Sequence, residues 1–271
     1  MTLHTQPNAH KKTEFVVTPD TGALARMLAK ATSDSLIIFD VDMVLLHTAD
    51  PVFQMPNLMH HHDILTAARA DLNPEESDLL LHFPLIDGKA EVIDPALPLL
   101  IQHLQNLNIP TIACTAILSG AIAPEPDMMK WRVKQLTELG MDFSITAPDD
   151  TLFHTIHFPK YRGNTPQYKK GVMITNGENG PSNKGTVLAA FLATLTKHPR
   201  QIIMIDDRRQ NLMHIHDSLE KSDFNGHYIA VEFTAAMYHN CPLVSADVFN
   251  EKLQAVLKRL KGAYIPHLDS R

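Results

Sequence analysis

Short, nearly continuous apolar runs recur along the chain at residues 36–40 (LIIFD), 111–115 (TIACT), 142–146 (DFSIT), 171–175 (GVMIT), 202–206 (IIMID) and 228–233 (YIAVEF). Strands covered on both faces have this pattern, whereas a sheet with one wet face alternates polar and apolar positions. Between the runs the apolar period lengthens to that of a helix. Val187, Leu188, Phe191, Leu192 and Leu195 share one helical face, and Leu253, Val256, Leu257 and Leu260 share another, with Lys261 and Gly262 following as a stop signal. Strands alternating with helices predict an α/β fold built on a mostly parallel sheet flanked by helices.

Two segments interrupt the alternation. Residues 47–93 carry helical patterns and no convincing strand, which predicts a small helical insert over the sheet edge. Around residues 149–170, TLFHTIHF and YKKGVMIT flank the polar stretch PKYRGNTPQ, which predicts a β-hairpin insert. Residues 1–46 and 94–271 then form the α/β core. A chain of 271 residues, 44% hydrophobic, is long enough for one large domain with such an insert.

Charge narrows the partners. Lysine and arginine number 24 against 30 acidic residues, a net charge of -6, which gives no reason to expect nucleic acid or an anionic membrane as partner. The first residues lack a signal-like apolar stretch and no later run suits a bilayer, so a cytoplasmic protein is expected. Cys114 and Cys241 make no disulfide or metal-ligand pattern and read as ordinary buried thiols.

The candidate chemistry lies where acids interrupt the apolar runs. Asp40 and Asp42 end the first run, and Asp206 and Asp207 end the fifth. A parallel sheet binds ligands beyond the carboxyl ends of its strands, so neighbouring strands would bring three or four carboxylates into one cleft. Each pair alone also fits a loop start or a helix cap; two pairs at two strand ends favour a shared site. Each like-charge contact at ~4 Å costs about 4 kcal/mol at an effective dielectric of ~20, so the cluster needs a cation or trapped protons. Hard oxygen donors favour Mg²⁺ over zinc. Thr115 closes the second run with a hydroxyl, beside the Ala116 backbone N–H, where an oxyanion fits. Lys184 opens a predicted helix at the end where the dipole disfavours a cation, a conflict that a bound phosphate resolves.

In order, FDVDMVL, ACTA, NKG and MIDDRRQN resemble the four motifs of the haloacid dehalogenase-like (HAD) superfamily of phosphohydrolases, over residues 35–212, and within it a bacterial subgroup of unsettled function. The resemblance implies a Rossmann-like core with residues 47–93 as a small cap. It implies Asp40 as the nucleophile that becomes an aspartyl-phosphate, Asp42 as general acid and then base, and Thr115, Ala116 and Lys184 as the phosphate cradle. Mg²⁺ would be held by Asp40, the Asp42 backbone carbonyl and Asp206, with Asp207 and Asn211 in support. The implied function is a Mg²⁺-dependent phosphatase acting on a small phosphorylated substrate. The alternative is a degenerate member that binds a phosphorylated ligand or a protein partner without turnover. A phosphorelay receiver uses similar residue types in a different order. Met43 and Val44 stand where the superfamily usually has Gly-Thr, which removes a hydroxyl expected to orient Asp42. Four groups have no assigned role: His60, His61 and His62, whose adjacency prevents a shared face; His154 and His157, expected on opposite faces of the hairpin; Arg208 and Arg209; and Lys160, Arg162, Lys169 and Lys170, which either meet an anion or belong to a solvated loop.

Overall fold

The computed structural model describes residues 11–80 and 82–263. Nine strands occur among them: β1 (Lys12–Thr18), β2 (Ser35–Phe39), β3 (Leu46–Thr48), β4 (Ala90–Val92), β5 (Thr111–Thr115), β6 (Gln167–Lys169), β7 (Val172–Ile174), β8 (Gln201–Asp206) and β9 (His227–Phe233). Seven form one sheet in the order β1-β9-β8-β2-β5-β7-β6, parallel throughout except for β6 against β7. The fold is therefore a Rossmann-like α/β sheet. Its helices are α1 (Thr21–Leu28), α2 (Met55–His60), α3 (His62–Ala70), α4 (Pro74–Leu80), α5 (Phe83–Asp87), α6 (Ala96–Asn106), α7 (Met128–Glu138), α8 (Lys184–Leu192), α9 (Arg209–Glu220) and α10 (Ala246–Ala263).

Every residue of β2 is buried, as its unbroken apolar run requires. Alternate side chains feed two separate cores. Ile37 and Phe39 join Leu24, Leu97 and Phe249 on one face, while Leu36 and Ile38 join Val187, Phe191 and Leu212 on the other. Helices α1, α6 and α10 thus cover one side and α8 and α9 the other. The chain leaves β2 for β5 on one flank and later returns to β8 on the opposite flank, so the order reverses at the central strand. A crevice opens at the carboxyl ends where such a reversal occurs.

Residues 51–87 hold α2 to α5, between β3 and β4, which pair antiparallel as a separate two-stranded sheet. Because they branch from the segment after the central strand, these helices stand over its carboxyl end and not over the sheet's edge. They are tied down on two sides. Asn57 Nδ2 donates to the Pro242 carbonyl (2.9 Å), Asn57 Oδ1 accepts from Val244 N–H (3.0 Å), and His61 Nε2 meets the Val244 carbonyl (2.9 Å). On the other side the Asp78 carboxylate accepts from the Asn179 side chain (2.7 Å) and from the backbone N–H groups of Glu178 and Asn179.

Three expectations need correction. The run at residues 142–146 is a 3-10 turn over Phe143–Ile145, because the Asp142 side chain accepts the Ser144 N–H and curls the chain; only Phe143 turns inward and Ile145 is exposed. The predicted hairpin across residues 149–170 shrinks to β6 and β7, which belong to the main sheet, and Phe153–Thr155 is a 3-10 turn. Helix α10 runs through Gly262 to Ala263. Among the described residues no helix is long and apolar enough to cross a membrane.

Candidate active site

Asp40 follows β2 directly, Asp206 ends β8 next to it, and Thr115 ends β5 on the other side. Lys184 is the first residue of α8, whose start is fixed by a capping box between Asn183 and Thr186. The ammonium is buried and bridges two acids, 2.7 Å from Asp40 Oδ1 and 2.6 Å from Asp206 Oδ2. Two carboxylates thus resolve the conflict with the helix dipole. Asp207 completes the cluster: Asp40, Asp206 and Asp207 each offer a carboxylate oxygen within 4.8 Å of the others.

The charges do not balance. Three carboxylates face one ammonium in a buried setting, leaving an excess of two negative charges if all are ionised. Burial, with Asp206 and Asp207 adding to it against Lys184, pushes the Asp40 carboxyl well above its usual range. Burial and Asp206 likewise push Asp207 up to about 7, against the pull of Lys184 and Arg208. Burial alone would lower the Lys184 pKa; Asp206 and Asp40 outweigh it and keep the ammonium charged. Asn211, in the first turn of α9, donates to both Asp206 oxygens (3.0 and 3.2 Å), and the Arg208 N–H donates to Asp206 Oδ1 (2.9 Å). A divalent cation with hard oxygen ligands fits this donor set in charge and chemistry.

Asp42 stands apart from that cluster. Its carboxylate accepts from Arg132 Nη2 at both oxygens (2.8 and 2.9 Å) and from the Thr115 hydroxyl (3.0 Å), and His82 Nε2 lies 3.7 Å away. Burial would raise the Asp42 pKa, but Arg132, His82 and Thr115 outweigh it and hold the carboxyl below its usual range. Two expectations change here. The hydroxyl missing at Val44 leaves Asp42 well oriented, since Thr115 and Arg132 fix it. The Thr115 hydroxyl in turn is engaged with Asp42 and accepts the Ile117 N–H (3.2 Å).

Met43 adopts the left-handed backbone (φ 65°), which costs a residue with a side chain about 1–2 kcal/mol. Its N–H donates to the Leu46 carbonyl (2.8 Å), closing the tight turn into β3. The side chain lines a cavity of about 420 Å³ that opens on Asp40, Asp42, Ala116, Lys184 and Asp207. The far walls come from the helices of residues 51–87.

Arg132, His82 and Glu178 are site residues that motif reading missed. Arg132 shares the inward face of α7 with Met128, Met129 and Leu136, so one cation in an apolar stripe was the available signal. His82 lines the cavity, with Nδ1 directed to the Asp78 carbonyl. Glu178 pairs with Arg208 on the rim, which gives Arg208 a place at the site, whereas Arg209 pairs with Glu232 (3.3 Å) and covers the Phe15 ring. Of the unassigned histidines among the described residues, only His62 reaches the cavity wall; His61 packs on Phe249. None of Lys160, Arg162, Lys169 and Lys170 lines the cavity, and Arg162 pairs with Glu75 of α4 (3.2 Å). Cys114 is a buried free thiol and Cys241 a half-buried one.

No curated protein matches the chain. A family model matches residues 18–260, which spans β2 to α10 and every residue of this site, and the chain belongs to that family, described as a protein of unknown function (DUF2608).

Proposed function

We propose that the protein is a Mg²⁺-dependent phosphatase of the HAD type, hydrolysing a phosphomonoester through an aspartyl-phosphate on Asp40. The observation that carries this reading is the convergence of Asp40, Asp206 and Asp207 within 4.8 Å at the sheet's switch point, with Lys184 as their one buried counter-charge. The order of the four motifs along the chain supports it.

Asp40 Oδ1 already receives the Val41 N–H (2.7 Å) and Lys184, while Oδ2 has no hydrogen bond among the described residues. Oδ2 is thus the oxygen available to attack phosphorus. Asp40, Asp206 and Asp207 would hold a divalent cation, which would supply the charge that keeps the nucleophile ionised and offsets the phosphoryl oxygens. In the first half-reaction the Asp40 Oδ2–P bond forms, the P–O ester bond breaks, and the alcohol leaves with a proton from Asp42. In the second, Asp42 accepts a proton from water, whose oxygen bonds to phosphorus as the Asp40 oxygen departs and phosphate is released. The Arg132 pairing favours the ionised form of Asp42, so it suits the second half better than the first. Esters of acidic alcohols are therefore turned over faster than alkyl esters.

The Arg132 pairing also favours the second reading, a protein that binds a phosphorylated ligand without turnover, because a clamped Asp42 donates a proton poorly. Phosphate release from p-nitrophenyl phosphate and a panel of small phosphomonoesters, with Mg²⁺ and with EDTA, separates the two. The phosphatase reading expects metal-dependent turnover that is lost in Asp40→Asn. Folded protein that binds Mg²⁺ but hydrolyses nothing favours the second.

A further inference from the structure

We infer that the site takes a phosphorylated compound whose body is apolar, aromatic or acyl in character, and which carries a second anionic group received by Arg69. The inference rests on the phosphatase reading only for the phosphate end. The remainder comes from the cavity itself, which at about 420 Å³ falls in the range of clefts that bury a drug-sized ligand and exceeds what a phosphate group alone would fill.

One side of the cavity beyond the acids is carbon and sulfur, while His62, Ser77, Asp78, His82, Glu178 and Arg208 make up the polar remainder. Met55, Leu58, Met59, Leu65, Leu85 and Met237 supply the apolar side, from α2, α3, α5 and the turn after β9. Thioethers on unbranched stems adapt to flat or irregular apolar bodies. A sugar or polyol lying against this apolar face would lose water from its hydroxyls without regaining hydrogen bonds there. Met43 points the same way. Its backbone conformation is one that glycine adopts freely, yet the chain places there a long apolar side chain that lines the cavity.

Arg69 borders this apolar face. It sits in the last turn of α3, half-buried, and its Nε and Nη2 both donate to the Ser77 hydroxyl (3.1 and 2.9 Å). Among the described residues no carboxylate pairs with it, although the molecule is net acidic. The Ser77 hydroxyl steadies the guanidinium and leaves its charge unanswered. A carboxylate or second phosphate on the ligand answers it, with the planar donor fork suited to such a group.

Non-hydrolysable phosphonates test this on the wild-type chain, whether or not it turns over esters. Calorimetry with Mg²⁺ compares naphthyl phosphonate, a carboxyl-bearing naphthyl phosphonate and a polyol phosphonate. The expected result is that the naphthyl compound binds at least about tenfold tighter than the polyol, and that the carboxyl group adds about tenfold more, lost in Arg69→Met. Equal or tighter binding of the polyol overturns the apolar body, and a carboxyl effect that is absent or survives in Arg69→Met overturns the second anionic group. Failure of the phosphatase reading shows separately, as absent p-nitrophenyl phosphate hydrolysis by the same preparation.

Discussion

At the scale of single residues, two buried side chains set testable energies. Arg132 is fully buried, and its partner Asp42 is a nearly enclosed carboxylate. Arg132→Met keeps the volume but removes the counter-charge, which is expected to cost roughly 3 kcal/mol. Asp42→Asn in the Arg132→Met background should recover part of that loss, as read by urea unfolding of the four-member cycle. His47 is the second case, buried against His239 at 4.3 Å between ring centroids, with neither ring nitrogen hydrogen-bonded. Burial and His239 lower its pKa from 6.5 to about 4. The unfolded chain therefore takes up this proton first as pH falls. The stability contributed by neutral His47 is complete above about 6.5 and declines between 6.5 and 4. Lowering the pH from 7.5 to 5 is expected to cost roughly 2 kcal/mol at this position. His47→Phe should flatten that part of the urea-midpoint profile.

At the scale of elements, legibility followed burial. The strands buried on both faces, β2, β5, β7, β8 and β9, were readable because continuous apolar runs have few other uses. Strand β1 was not, because its KTEFVVT alternates and lies half-exposed at the sheet's edge, paired only to β9. The strand ends carrying Asp40, Thr115 and Asp206 were readable for the same reason as the strands. Their meeting was not readable from periodicity, which does not encode the crossovers that set strand order; the doubled acids at two strand ends and the order of the motifs were what pointed to it. The Arg132 to Asp42 contact spans 90 residues and depends on how α7 packs. Close approach of α8 to α9 was equally invisible. A Cβ on Gly185 would lie 2.0 Å from the His214 carbonyl oxygen, a backbone atom that no rotamer change relieves. Gly185→Ala is expected to push the helices apart at a cost of about 2 kcal/mol or more. Because Lys184 is its neighbour, the Mg²⁺ binding proposed above should weaken in the same variant, measured by calorimetry.

At the scale of the whole molecule, the two sets of ties that hold residues 51–87 have a consequence in time. The helices of residues 51–87 are made early, yet the groups that hold α2, the Pro242 and Val244 backbone and the Phe249 ring beneath His61, are made near the end. At about 5–20 residues per second, the ribosome adds the intervening ~155 residues in roughly 8–30 seconds. Through that interval the methionines and leucines of the cavity wall have no floor. A chain ending at residue 240 retains all seven strands of the main sheet, but its residues 51–87 should be cut by protease far sooner than those of the full chain. Helix α10 thus finishes a job begun at the first strands of the core.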